Sequence, residues 1–186
     1  MKGTEVVEIV MSLVGDAPVV NANGYIGREA FNALDREGNF YMIGSMGLAS
    51  SIGLGVALCR PDKRVVILDG DGNVLMAMGT LAMIAASSPK NLVHVVVDNR
   101  VYESTGKQKT LSEDVKLEEV ARGAGYKTAM AVSDPDSFRE VMETLMRDDG
   151  PSFLLARVEA SFDKGTGRVI HTPEEIKERF MRSVSS

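Results

Sequence analysis

A three-layer α/β/α fold, with a mostly parallel sheet of about six strands between two layers of helices, is what this sequence predicts. Three observations predict it. Short runs rich in Val, Ile and Leu alternate along the chain with helix-length segments. Those runs are apolar at nearly every position, as strands buried on both faces must be. Two of them, Val65–Leu68 and Leu92–Val97, flank a single helix-length insert, which makes a βαβ unit. Parallel strands release their carboxyl ends at one edge, and ligands of open α/β sheets bind at that edge.

The elements follow in order. Thr4 is placed to cap a helix in which Val6, Val7, Val10, Leu13 and Val14 recur at helical spacing. A short strand starts at Pro18-Val19-Val20 and ends in Asn21-Ala22-Asn23-Gly24. A helix from about Ile26 to Glu37 stops at Gly38, and a strand at Phe40–Ile43 runs into Gly44-Ser45-Met46-Gly47. The small-residue helix Leu48–Cys59 contains Gly53 and Gly55, each costing about 1 kcal/mol relative to Ala. Close packing against another backbone would explain that cost.

The strand Val65–Leu68 enters the turn Asp69-Gly70-Asp71-Gly72-Asn73, and a helix is expected from about Val74 to Ala86, closed by Pro89. The strand Leu92–Val97 ends in Asp98-Asn99. A loop rich in Ser, Thr, Gly and Lys then extends from Arg100 to about Val115. A helix near Leu117–Arg122 and a strand at Lys127–Val132 come next. Asp134-Pro135 opens an amphipathic helix with Phe138, Val141, Met142 and Leu145 on one side. Gly150-Pro151 turns the chain into a strand at Ser152–Val158, and Thr172-Pro173-Glu174-Glu175 caps a final helix. With no internal repeat, low-complexity segment or linker, residues 1–186 read as one domain.

Composition narrows the partners. A net charge of −5 and a pI near 5.1 offer no surface for nucleic acid or an anionic membrane. The single Cys59 excludes an internal disulfide and a cysteine-ligated iron–sulfur cluster. His94 lies inside a strand of valines and reads as a core histidine, and His171 as a capping or surface residue. Glu5 and Glu8 interrupt the N-terminal apolar pattern, which is therefore no signal peptide, and no run approaches the roughly 20 apolar residues of a membrane span. A cytoplasmic protein is the expectation.

The central βαβ unit carries the chemistry. Gly70 and Gly72 let backbone approach a ligand closely and turn into a helix. The helix start at Asn73 and Val74 presents free N–H groups suited to phosphate. Asp71 places a carboxylate inside that anion site, which makes sense when a hard cation lies between them. Mg²⁺ takes oxygen ligands and shares its shell with phosphates. Asp71 offers a carboxylate oxygen, Asn99 a carboxamide oxygen, and a backbone carbonyl near Val101 a third. A dinucleotide fingerprint is excluded, because Met76 stands where its third glycine belongs and no acidic residue lies between Asp71 and Asp98.

Gly70-Asp71-Gly72, then 26 residues, then Asn99 resembles the pattern by which thiamine-diphosphate enzymes hold Mg²⁺ and the cofactor's diphosphate. GSMG at Gly44–Gly47, GDGN at Gly70–Asn73 and DNxxYxSTGxQ at Asp98–Gln108 extend the likeness over nearly the whole chain, to the diphosphate-binding domain of thiamine-diphosphate-dependent 2-oxoacid decarboxylases. The resemblance implies that Asp71, Asn99 and the Val101 carbonyl hold Mg²⁺. It implies that Gly70, Gly72, Asn73 and Ser104 or Thr105 meet the diphosphate, and that Gly44, Ser45 and Met46 meet the rest of the cofactor. The Gly44 carbonyl would accept from the pyrimidine amino group, and Met46 would wedge between the two rings.

The implied reaction converts a 2-oxoacid to an aldehyde and CO₂. For 3-sulfopyruvate the product is sulfoacetaldehyde, a step toward coenzyme M. Arg100, Lys107 and Lys109 are the candidate contacts for a sulfonate or phosphonate. The family's pyrimidine-binding domain and its glutamate are missing from this length of chain, so a separate alpha subunit would supply them, with Gly53, Gly55 and the methionines (among them Met76, Met78 and Met83) as candidate contacts. Competing expectations are a phosphonopyruvate decarboxylase, a carboligase of the acetolactate synthase type, the beta subunit of a 2-oxoacid:ferredoxin oxidoreductase, and a cofactor-binding module without catalysis.

Overall fold

A computed structural model of the chain describes residues 1–160 and 165–186. The order begins α1 (Gly3–Leu13), β1 (Val19–Asn21), α2 (Tyr25–Ala33), β2 (Asn39–Tyr41) and α3 (Ala49–Cys59). It continues with β3 (Val65–Gly70), the short α4 (Asp71–Met76), α5 (Gly79–Ser87) and β4 (Leu92–Asp98). An antiparallel ribbon of β5 (Val101–Tyr102) and β6 (Gln108–Lys109) interrupts the alternation. Then come α6 (Leu117–Ala124), β7 (Thr128–Val132), α7 (Pro135–Arg147), β8 (Ser152–Arg157) and α8 (Pro173–Ser185).

Six strands form one sheet in the order β2-β1-β3-β4-β8-β7, and every pairing in it is parallel. Every residue of β3 and β4 is buried. Period-two alternation explains how: Val66 and Leu68 pack with α1 and α7, through Val6, Val10, Phe138 and Met142. Val65 and Ile67 pack on the opposite face with α3, α5 and α6, through Leu54, Leu81, Ile84 and Ala121. Among the described residues, no helix is long and apolar enough to cross a membrane.

Two caps form as the sequence indicates. The Asp134 side chain accepts from the Ser137 N–H at 2.9 Å, and Thr172 and Glu175 make a reciprocal capping box. Thr4 does not cap α1. The helix starts two residues earlier, with Lys2 as N-cap, whose N–H is taken by the Glu5 carboxylate at 2.6 Å. The second helix ends at Ala33 rather than Glu37, because Leu34 is extended (φ −162°) and Asn39 Nδ2 bonds the Leu34 carbonyl at 2.8 Å.

The helix expected over 74–86 is two helices. Its start moves back to Asp71, with Gly70 as N-cap, and the chain leaves helical geometry at Ala77 (φ −127°) before α5 resumes. The Gly47 loop packs here: a Cβ on Gly47 would stand 3.0 Å from the Ala77 Cβ and 3.2 Å from the Asn73 carbonyl oxygen.

The two glycines of α3 divide. A Cβ on Gly53 would lie 2.3 Å from Ile67 Cγ1, so the helix rests directly on β3, whereas at Gly55 nothing lies within 4 Å. Close packing accounts for Gly53 only. Gly53→Ala is expected to destabilise the chain by about 1–3 kcal/mol through overpacking. Gly55→Ala should be neutral or gain up to about 1 kcal/mol from helix propensity. Urea unfolding of the two variants side by side checks both.

Candidate active site

Parallel pairing brings the ends of β1, β3 and β4 to one edge, with Asn21 opposite Leu68 and Gly70 opposite Val97. The loops beyond them meet around a cavity of about 110 Å³ lined by Asn23, Gly24, Met46, Gly70, Asp71, Gly72, Asn73, Asn99, Val101, Tyr102, Glu103, Ser104 and Thr105, among others. Asn73 Nδ2 bonds Asn23 Oδ1 at 3.0 Å and ties the first turn of α4 to the β1–α2 loop. Ser45, Arg100 and Lys107 adopt left-handed backbone (φ 53°, 62° and 59°) in the two loops at this edge. Such strained non-glycine residues gather where a ligand dictates loop shape.

Asp71 opens α4 with only 3 % of its surface exposed. The Thr110 hydroxyl donates to its Oδ2, and the Ser112 oxygen lies 3.1 Å from that same atom. Ser112 also reaches Asp98 Oδ1 at 2.7 Å. One hydroxyl proton cannot serve both carboxylates, so the cluster is short of protons when both are ionised. Burial pushes the Asp71 carboxyl up to about 6, the Asp98 charge adds to this, and the Thr110 and Ser112 hydroxyls oppose it. Asp98 is steadied from behind by Arg157 (3.4 Å), which also bonds Glu118 on α6 at 3.0 Å.

Asn99 follows β4. Its Oδ1 accepts from the Val101 N–H at 3.0 Å, and its Nδ2 donates to Glu103 Oε2 at 2.7 Å. Gly72 must be glycine: a Cβ would stand 2.6 Å from Tyr102 Cε1 and 3.0 Å from Met46 Cε. Backbone is thereby open to close approach on the cavity floor. Thr105 Oγ1 is engaged within its own turn, with Gln108 Oε1 at 3.0 Å and the Tyr102 carbonyl at 3.3 Å. Ser104 Oγ faces the Gly24 backbone, 3.9 Å from where a Cβ would lie.

The sequence-indicated residues Met46, Gly70, Asp71, Gly72, Asn73, Asn99, Val101, Ser104 and Thr105 are thus brought to one cavity. Gly44 and Ser45 are not in its lining; they stand exposed in the loop before α3. Arg100 and Lys109 line an adjoining cleft, which shares Asn99, Val101, Val158 and Glu159 with the cavity, and they share Glu113 at 3.6 Å each; Lys107 is exposed. None of the three lines the first cavity. His94 is a satisfied core histidine, its Nε2 3.2 Å from Asp69 Oδ2 and its Nδ1 3.3 Å from the Tyr126 hydroxyl. His171 anchors α8, 2.7 Å from Asp35 Oδ2. Arg28 packs over the Tyr25 ring at 4.9 Å.

Sequence reasoning missed Thr110, Ser112, Asp98 and Glu103 as parts of the site. The only hint was Thr110-x-Ser112, a spacing that puts both hydroxyls on one side of an extended segment. No group of three or more His, Cys, Asp or Glu able to hold a metal ion occurs among the described residues. The oxygens the cavity offers, the Asp71 carboxylate, the Asn99 carboxamide and backbone carbonyls, are hard donors of the kind that would suit Mg²⁺ rather than zinc.

Residues 14–156 match the family model described as thiamine pyrophosphate enzyme, C-terminal TPP binding domain. The chain is 42 % identical over 178 residues to a phosphonopyruvate decarboxylase of Streptomyces viridochromogenes, covering 96 % of this chain but 45 % of that protein. It therefore spans about half the length of that relative. It is 38 % identical over 180 residues to the sulfopyruvate decarboxylase subunit beta of Methanococcus maripaludis, covering 97 % of this chain and 96 % of that one. Among solved structures, benzoylformate decarboxylase from Polynucleobacter necessarius superposes with a TM-score of 0.74 at 14 % identity, over 88 % of this chain and 34 % of that one. At that identity the likeness is one of fold.

Proposed function

Because this chain belongs to the thiamine pyrophosphate (thiamine diphosphate) enzymes, through their C-terminal cofactor-binding domain, we propose that it is the beta subunit of a sulfopyruvate decarboxylase. The observation that carries the reading is buried Asp71, on a glycine-flanked turn, beside Asn99 at one parallel-sheet edge. Asp71, the Asn99 carboxamide oxygen and the Val101 carbonyl hold Mg²⁺. Gly70 and Gly72 open the backbone, and Gly72, Asn73 and Ser104 meet the diphosphate, with Thr105 beside them. Met46, half-buried against Gly72, would pack against the cofactor, and the exposed Gly44 carbonyl and Ser45 would meet its pyrimidine end.

The chemistry such a cofactor supplies when bound is an electron sink for loss of CO₂ from a 2-oxoacid. The chain's own part is to hold and orient. Thr110 and Ser112 fix the Asp71 carboxylate, and the Asp69–His94–Tyr126 network behind the turn holds the Gly70 N–H, which donates to Asp69 Oδ1 at 3.0 Å. The exposed free Cys59 fits a reducing cytoplasm.

The substrate assigned is 3-sulfopyruvate, released as sulfoacetaldehyde and CO₂ toward coenzyme M, because the chain matches sulfopyruvate decarboxylase beta subunits end to end. A split phosphonopyruvate decarboxylase is the second reading, favoured by the 42 % identity to that enzyme. Competition in the complex of this chain with its alpha subunit separates them. Sulfopyruvate is expected to have the higher kcat/KM by about tenfold or more, on the order of 1.4 kcal/mol. A preference of that size for phosphonopyruvate would reverse the assignment.

A further inference from the structure

We propose that Glu103 is a positioning residue of the metal site, fixing which end of the Asn99 carboxamide faces Mg²⁺; the inference rests on the cofactor reading above. A carboxamide has an oxygen end that can ligate a hard cation and an amino end that cannot. Rotation by half a turn about its last bond exchanges them at little cost in shape. Two neighbours forbid the exchange here. The Val101 N–H, 3.0 Å from Asn99 Oδ1, is a donor and tolerates only the oxygen end. Glu103 Oε2, 2.7 Å from Asn99 Nδ2, is an acceptor when ionised and tolerates only the amino end.

A purely structural role does not account for Glu103. Among the described residues it forms no ion pair, and its second oxygen, Oε1, is shielded from water with no hydrogen-bond partner. An unsatisfied buried carboxylate oxygen costs free energy. The contact that this cost maintains is the one Oε2 makes, holding the Asn99 amino end at 2.7 Å. Glu103 lies between Tyr102 and Ser104 and shares the cavity lining with Asp71 and Asn99.

The test is calorimetric titration of Mg²⁺ into the complex of this chain and its alpha subunit at saturating thiamine diphosphate. Wild type, Glu103→Ala and Glu103→Gln are compared, with thermal melting of each metal-free protein alongside. Glu103→Ala is expected to weaken Mg²⁺ binding about tenfold or more, as loss of a ligand's supporting partner does. Glu103→Gln keeps a carbonyl oxygen for Asn99 Nδ2 and should stay within about threefold of wild type. Melting temperatures should not fall for either variant. Unchanged Mg²⁺ affinity in Glu103→Ala, an equal loss in Glu103→Gln, or a matching loss of melting temperature would each overturn the positioning role. If wild type itself takes up neither Mg²⁺ nor cofactor, the cofactor reading fails instead, and the two failures are told apart.

Discussion

Asp71→Asn is expected to abolish Mg²⁺-dependent binding of thiamine diphosphate while making the metal-free chain more stable. Both effects come from one carboxylate. Losing the charged ligand should weaken metal uptake by more than about 100-fold, since loss of a supporting partner alone costs about 10- to 100-fold. The stability gain follows from linkage. Burial holds the folded Asp71 carboxyl at about 6, against 3.8 when the group is free. A raised carboxyl is favourable below its unfolded value, where both states are protonated. That contribution disappears as pH climbs from about 4 to about 6. At neutral pH the buried charge therefore costs the fold on the order of 2–3 kcal/mol, with each pKa unit worth about 1.4 kcal/mol.

Asn keeps a carbonyl oxygen for the Thr110 and Ser112 hydroxyls and carries no charge, so the variant should recover most of that cost. Urea unfolding at pH 7 should show the gain, and at pH 4 the two proteins should converge. In wild type, apparent Mg²⁺ affinity should fall about tenfold per unit below pH 6, because the proton competes with the metal for Asp71. An Asp71→Asn protein that binds cofactor normally would refute the metal assignment. One that is no more stable at pH 7 would refute the electrostatic account of the Thr110–Ser112–Asp98 cluster.

The chain alone is expected to show no decarboxylation of sulfopyruvate above background, and mixing it with its alpha subunit should raise turnover by at least about a thousandfold. That is a modest part of the roughly 10⁶-fold and larger accelerations enzymes reach. The cavity explains the expectation. Around Asp71 it holds only about 110 Å³, and it shares Asn99, Val101, Val158 and Glu159 with a wider, more open cleft of about 580 Å³, so neither is a closed pocket. Gly44, Ser45 and Ile43 (64 % exposed) stand open beside it. Exposed Leu48, Met76 and Met83 add a broad apolar surface around the start of α3 and the α4–α5 pair. A second wall over this face would complete the pocket and exclude water. CO₂ release measured for each subunit alone and for the mixture is the check. Sustained turnover by this chain without any partner would refute the half-site reading.

The site was legible where its residues are close in sequence and their chemistry conflicts unless a cation is present. Asp71 between two glycines, at the start of a helix, is such a place, and Asn99 closing the next strand is another. Thr110 and Ser112 were not legible, since they lie in a polar loop where buried and exposed hydroxyls look alike. Only folding brings them 39 and 41 residues back, onto Asp71. Glu103 was hidden for a similar reason: a glutamate in a loop reads as solvated until its neighbours are seen.

By itself the sequence determined the alternation of strands and helices, the parallel sheet buried on both faces, and the shared edge carrying Asp71 and Asn99. Local rules suffice for these, because a doubly buried strand must be apolar throughout and a parallel neighbour must be reached through a crossover. Tertiary structure alone decided the strand order β2-β1-β3-β4-β8-β7, the break at Ala77, the contact of Gly53 with Ile67, and the hydroxyls converging on Asp71. Each of these is a contact between segments far apart in the chain. Its energy depends on packing and desolvation at the meeting point, which neither segment specifies alone.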